Sequence, residues 1–342
     1  MKKTAAVIIG AAAVLLAAAF FFYVPKELSC REASRLQAEG KTAEAYEKLK
    51  ELGNWRDSAA RAKELEAAYP GIAFSAAGVW DTVTFGEYEQ DGDPGDGAEP
   101  LEWYVLYRTS EEDGDRLLLL SRYCLACMAY HSRAEEVGWE DSDMRAFLNG
   151  PFCEAAFSGE EQALIVPTAN ADSGEEKALI VPAANAGPGE EEEGSPAAET
   201  GVNEPDEDVH DADVQDAAEA QPEEGDPHEE SLRMDPEDMV FLLDRLETSV
   251  YFPGEEERWM YARAEATRQA VLEGIYVSEA EAGTAEAEEA GYSRWWLRST
   301  GNEPYSAQFV EEDGNVFEGG AAVDIDYIYG LRPALWVRCP SF

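Results

Sequence analysis

Two late segments constrain this chain more than any others: Trp295-Trp296-Leu297-Arg298-Ser299 and, beyond a glycine-punctuated hairpin region, Arg332-Pro333-Ala334-Leu335-Trp336-Val337. Each tryptophan can bury on the order of 150–250 Å². Each segment also carries an arginine, and a buried guanidinium needs carboxylate or carbonyl partners because leaving it unpaired is prohibitively costly. Both read as strands of one folded module, with Arg298 and Arg332 as polar clasps. Successive side chains in a strand point to opposite faces, so the pattern predicts one of Trp295 and Trp296 in the core and the other over a surface groove. Arg298 and Tyr305 would complete that groove, where a sugar or a peptide could stack.

The rest of the composition mostly excludes. The 342 residues suffice for one large domain and a smaller unit. The formal charge is -46, and the stretch from Asp172 to Glu230 holds 21 acidic residues against Lys177, hence -20 of it and -26 elsewhere. Such a body is repelled by phosphate backbones, which argues against a nucleic-acid partner. Five cysteines are too few for a disulfide scaffold. Cys124 and Cys127 form a lone CxxC lacking half the ligands of a structural zinc site, and read as buried thiols or one disulfide. The histidines His131, His210 and His228 stand apart, which removes imidazole-based metal or nucleophile chemistry. No cofactor or metal is expected.

Residues 1–4 carry Lys2 and Lys3, and residues 5–25 are apolar. About 20 apolar residues can span a bilayer of roughly 30 Å. Because Phe20 to Val24 prolong the run past a cleavable h-region, the segment reads as an uncleaved signal anchor with Tyr23 at the interface. The lysines would hold residues 1–4 in the cytoplasm and place everything after Pro25 outside.

Residues 28–70 read as a helical stalk. Ala33 and Leu36 share one face, Gly40 ends the first helix, Tyr46 and Leu49 mark a second, and Ala62, Leu65 and Ala68 a third. The string "AEGKTAEAYEKLKELGNWRDSAARAKEL" resembles one tetratricopeptide-type hairpin, short of the three repeats a free solenoid needs. Strand chemistry follows at Val83 and Phe85, Trp103 to Tyr107 and Leu117 to Ser121. Between the first two, Asp91, Asp93 and Asp96 imitate a calcium loop with Glu102 at position twelve. Glu102 falls within a strand and Pro94 breaks the register, so a solvated hairpin loop is expected.

Asp141-Ser142-Asp143 should cap a helix that Asn149-Gly150 closes, and Ser158 with Glu161 forms a capping-box pattern. "ALIVPTANADSGEE" from Ala163 then recurs as "ALIVPAANAGPGEE" from Ala178. A tandem copy beside an acidic, aromatic-free run reads as an inserted disordered loop, 168–235. Order should return as a buried strand from Asp238 to Leu243, with helical segments at Glu247 to Tyr251 and Arg258 to Glu273, and a polar loop at Glu279 to Ala290.

The blocks "LEWYVLY", "RLLLLS", "WEDSDMRAFLNGPFCEAAFSGEEQALI", "DMVFLLDRLE", "WWLRS" and "LRPALWV", in that order, resemble the bacterial domain-of-unknown-function family 6273 over Gly78 to Arg338. Asp244 stands where a serine is usual. Trp103, Arg145, Leu148, Asn149, Phe157, Arg332, Pro333 and Trp336 lie in these blocks as structural motif residues. The family is similar to C-type-lectin-like modules related to formylglycine-generating enzymes. That resemblance implies an α+β fold for residues 78–340, with a twisted, mostly antiparallel sheet and two main helices. It does not imply activity. Neither Cys124 and Cys127 nor Cys339 matches the copper-binding motif of those enzymes, and Glu303-Pro304 runs into Tyr305 where sugar-binding lectins continue a calcium signature.

The expectation is a single-pass cell-membrane protein with a helical hairpin and one lectin-like domain outside, a non-catalytic binding or scaffolding module for an envelope protein or glycan. The alternative is a formylglycine-generating-like or other envelope enzyme.

Overall fold

Leu117 to Leu120 are four consecutive leucines, and a strand can bury such a run only when both faces are covered. In the computed structural model, which describes residues 23–111, 114–169, 237–278, 291–325 and 328–340, these leucines are fully buried. Twelve strands occur among those residues: β1 (Thr82–Tyr88), β2 (Glu99–Glu111), β3 (Gly114–Ser121), β4 (Ala126–Cys127), β5 (Thr168–Ala169), β6 (Glu237–Asp238), β7 (Ala264–Glu265), β8 (Tyr292–Thr300), β9 (Ser306–Val310), β10 (Val316–Ala322), β11 (Tyr329–Leu331) and β12 (Ala334–Arg338). β3 sits inside an antiparallel sheet ordered β1-β2-β3-β12, and a second sheet runs β10-β9-β8-β11-β4 with β7 beside β8. The late strands close on the early ones. Ala334 pairs with Leu120 and Trp336 with Leu118, while Gly330 lies opposite Cys127.

The sheets share one core. Val83, Phe85, Trp103 and Val105 contribute from the early strands, and Trp295, Trp296, Leu297 and Leu335 from the late ones. β11 lies so close to its neighbours that a Cβ on Gly330 would stand 2.8 Å from Cys124 Sγ and 2.7 Å from Ile275 Cδ1. Here glycine serves close approach, and its φ is not left-handed.

Ser142 caps the Asp143–Phe147 helix by accepting from Arg145 N–H. The chain then departs from the reading that Asn149-Gly150 closes that helix. Leu148–Phe152 widens into a π-type turn around Pro151, and Cys153–Ala156 continues as helix. Proline lacks an N–H and cannot complete an ordinary helical turn, so the wide turn carries the chain past it. The Ser158–Glu161 capping box is present in full. The expected helix from Arg258 is broken into the Arg258–Ala262 turn, β7 and the Arg268–Glu273 helix.

The described start of the first repeat copy, residues 163–169, packs against the sheet. Val166 N–H donates to Trp336 O at 2.8 Å, and Arg338 N–H donates to Leu164 O at 2.8 Å, so Leu164–Val166 line the outer edge of β12. Thr168 and Ala169 pair with Asp238 and Glu237. Residues 170–236, holding the second copy and most of the expected insertion, lie outside the described residues, as does the polar loop 279–290.

At the N-terminal side, helices at 23–38, Thr42–Leu52 and Ser58–Ala68 pack through Ala33, Tyr46, Leu49, Ala62, Leu65 and Ile72. Ala68, expected on the inner face, is exposed. No helix among the described residues is long and apolar enough to cross a membrane. The helix described at 23–38 is polar, with the ion pairs Arg31–Glu27, Arg35–Glu39 and Arg56–Glu27 on it, and its apolar stripe faces neighbouring helices. Tyr23, expected at a lipid interface, stands edge-on to Trp55 at 5.2 Å and accepts from Arg56 Nη2 at 2.8 Å. On the finding that no described helix can cross a membrane, the membrane span, the signal anchor and the single-pass cell-membrane location are not supported, and the fold class of the described residues is α+β without such a helix. The apolar residues 5–22 lie outside the described residues.

Substituting Gly330→Ala should cost about 1–3 kcal/mol through overpacking against Cys124 and Ile275. Urea unfolding followed by tryptophan fluorescence measures it, and an unchanged midpoint would show that Gly330 does not lie this close to Cys124 and Ile275.

Candidate functional site

The two late arginines do what their burial requires. Arg332 is fully buried and donates from Nε to Ser121 O (2.8 Å), from Nη1 to Ala262 O (2.9 Å) and from Nη2 to Tyr261 O (2.8 Å). Its guanidinium lies 4.9 Å from the Trp295 ring centroid. Burial lowers its pKa to about 10, so it remains charged at neutral pH. Arg298 donates to Asp244 Oδ2 (2.7 Å), Glu247 Oε2 (2.6 Å) and Leu242 O (2.7 Å). Asp244 and Glu247 also form the capping box of the Arg245–Tyr251 helix. Aspartate caps as well as serine does, so the departure at position 244 keeps the cap and adds a charge for Arg298.

A third clasp is built on Asp238, which is buried and accepts from Trp139 Nε1 (2.7 Å), Arg145 Nε (2.5 Å) and Asn149 Nδ2 (3.3 Å). Asn149 Oδ1 in turn accepts from Met239 and Val240 N–H. The motif residues are therefore structural fasteners. Trp103 donates to Phe85 O at 2.7 Å and packs near Phe157, Leu148 is fully buried, Pro333 O accepts from Ser121 N–H, and Trp336 stands edge-on to Tyr107.

The expected ligand groove of Trp295, Trp296, Arg298 and Tyr305 does not assemble. Both indoles are fully buried, with Trp295 Nε1 on Ala262 O (2.9 Å) and Trp296 Nε1 on Met128 O (3.1 Å). Opposite faces did not separate core from surface, because β8 is buried on both faces from Trp295 to Arg298. Arg298 is committed to its carboxylates. Tyr305, 47% exposed, is the only one of the four open to solvent.

Burial also holds Cys124 back from thiolate chemistry. All five cysteines are free thiols, and burial pushes Cys124 up to about 12 despite the guanidinium nearby. His131 is buried, with Nε2 3.1 Å from Glu135 and Nδ1 accepting from Asp143 N–H at 3.3 Å. In the β1–β2 loop, Glu89, Asp91 and Glu99 converge. Their oxygens already accept the loop's own N–H groups at Gly92, Asp93 and Gln90. Glu102 pairs with Arg122 at 2.7 Å, away from that loop, so the position-twelve coincidence has no geometric counterpart.

A cleft of about 300 Å³ lies between the helical hairpin and β1. Tyr46, Lys50 and Glu66 form one wall, Ala73, Ala76 and Ala77 the floor, and Asp81 to Thr84 the other wall. Tyr46 donates to Glu66 Oε1 at 2.6 Å, and Lys50 Nζ stands 3.8 Å from the same oxygen. Burial and the Glu66 carboxylate push the Tyr46 phenol well above its ordinary range, so it stays a neutral donor that fixes Glu66. The reading of 28–70 as a stalk held no hint of this cleft, because its walls come from elements whose docking no local pattern encodes.

The model of the family described as "Domain of unknown function (DUF6273)" matches residues 114–193 and 217–339, more than half of the chain. The chain belongs to DUF6273. No curated protein and no solved structure matches it. The DUF6273 match begins at β3 and takes in all three clasps, whereas the helical hairpin, β1 and β2 precede it. Most of the cleft is therefore built by residues outside the matched region.

Replacing Arg332→Met strands the carbonyls of Ser121 and Tyr261 and should destabilise the fold by about 3 kcal/mol. Equilibrium denaturation would show it, and a loss below about 1 kcal/mol would contradict the clasp. At pH 8, Cys124 should remain unalkylated by iodoacetamide on a timescale that labels all five thiols of the unfolded chain. Mass spectrometry of the labelled peptides gives the answer, and rapid native labelling at Cys124 would refute its burial.

Proposed function

We propose that this chain is a non-catalytic binding or scaffolding module that holds a polypeptide partner in the cleft between its helical hairpin and β1. The observation that carries this reading is the cleft itself. It is concave, floored by small side chains, and walled by a tyrosine–glutamate–lysine set and a strand. Concavity with a few convergent polar groups is what binding sites have in common. The resemblance of the hairpin to a tetratricopeptide unit and that of the body to C-type-lectin-like modules agree with a binding role. Among the described residues, the groups that could do chemistry are engaged elsewhere: Cys124 is held as a thiol, and both His131 ring nitrogens have partners. A glycan-stacking role for Trp295 and Trp296 has no support, since neither indole is accessible.

Ala76 is exposed on the cleft floor, so Ala76→Trp fills the space without entering the core. An immobilised library of random nonapeptides should yield peptides that bind the wild-type chain and lose binding to Ala76→Trp, with the circular dichroism spectrum unchanged. Peptides that bind both proteins equally, or no peptides at all, would defeat the cleft reading.

A further inference from the structure

We propose, building on the cleft reading, that the partner is an extended, lysine- or arginine-bearing segment that joins the first sheet as an added strand along the outer edge of β1. Among the described residues β1 is an edge strand, paired with β2 alone. In an antiparallel pair, directly opposed residues alternate between those that exchange main-chain hydrogen bonds and those that do not. Val105 N–H donates to Asp81 O at 2.9 Å, and the register continues Thr82–Tyr104, Val83–Trp103, Thr84–Glu102. Asp81 and Val83 therefore turn their main chain toward β2, whereas Thr82 and Thr84 turn theirs outward. The far side of β2 agrees, because Glu102 O accepts from Arg122 N–H and so points away from β1.

The outward edge is closed at one end only. Gly86, at φ +73°, donates to Glu161 Oε1 at 3.2 Å, and a Cβ there would stand 2.6 Å from Ala156 O. From Gly86 onward the Cys153–Ala156 segment and the capping box seal the strand. Thr82 and Thr84 stay exposed and line the cleft. Their outward groups lie roughly 7 Å apart at ~3.4 Å per residue, the repeat an added strand presents. Natural sheets usually shield such an edge with lysine, proline or a covering element. Among the described residues, no hydrogen bond is made to the outward main-chain groups of Thr82 and Thr84.

Charge selects the occupant. Glu66 and Asp81 flank the open edge, the single cation Lys50 is loosely paired at 3.8 Å, and the whole chain carries -46. Main-chain hydrogen bonds would supply affinity and the carboxylates a preference for cationic side chains.

The test uses the full chain and a fluorescein-labelled nonapeptide of alternating lysine and valine, read by anisotropy. Two further peptides carry N-methyl groups on one or the other set of alternate amides. Expected is binding of the parent peptide, a loss of about tenfold or more for one methylated peptide and little change for the other. Thr82→Pro removes an outward N–H and no ladder bond, so it should weaken the parent peptide comparably. Glu66→Gln should weaken it less at high salt than at low salt. Should the parent bind in an Ala76→Trp-sensitive way while both methylated peptides and Thr82→Pro match it, strand addition is wrong and the cleft reading survives. Failure of the parent to bind, alongside Ala76→Trp-sensitive library peptides lacking cations, would likewise overturn strand addition. Library binding indifferent to Ala76→Trp would remove the cleft reading instead.

Discussion

The structure depends on where the Arg332 guanidinium sits. A fully buried cation is tolerable only when its N–H groups find acceptors, and Arg332 finds three of them on two separate elements: the end of β3 at Ser121, and Tyr261 and Ala262 in the turn before β7. Trp295 shares the Ala262 carbonyl and offers its ring to the same guanidinium. One side chain thus pins the first sheet, the second sheet and the segment between them. Five N–H donors in a fixed planar fork make this possible, whereas a lysine's three donors radiate from a single nitrogen and lack that spread.

The other clasps follow the same logic with carboxylates. Asp238 gathers an indole, a guanidinium and an amide, and Asp244 with Glu247 ends one helix while neutralising Arg298. A chain with an excess of 46 negative charges has no shortage of anions. What it rations is cations, and it places three of its arginines where they knit elements together. Breaking such a buried pair costs more than its formation gains, because the partner is left charged and unsolvated.

Much of this was legible in the residues alone. Unpaired guanidinium is so costly that partners for Arg298 and Arg332 could be demanded before any coordinates, and Ser158 with Glu161 announced a cap by spacing. The run from Leu117 to Ser121 read as a strand, and the structure adds that both of its faces are buried. Other features were hidden for identifiable reasons. Alternation says that Trp295 and Trp296 face apart, but whether each face is covered depends on strands that pair from elsewhere in the chain. The passage through Asn149-Gly150 looked like a helix end because Asn and Gly are the residues that usually follow one, and a π-type turn carried the chain on instead. The open edge of β1 depends on hydrogen-bond parity, which follows from the register at Asp81 and Val105 and from no residue type. Tyr23 and the charged helix at 23–38 show a further limit. A hydropathy run says nothing about what its flanking aromatic will touch.

The Arg332–Ser121 bond spans 211 residues of chain, and β12 completes the first sheet by pairing with β3. During synthesis, β1, β2 and β3 must therefore leave the ribosome long before their last neighbour exists. Until then, β3 presents a bare, leucine-lined flank to everything around it. Closure of the first sheet therefore waits for the last strand to be made.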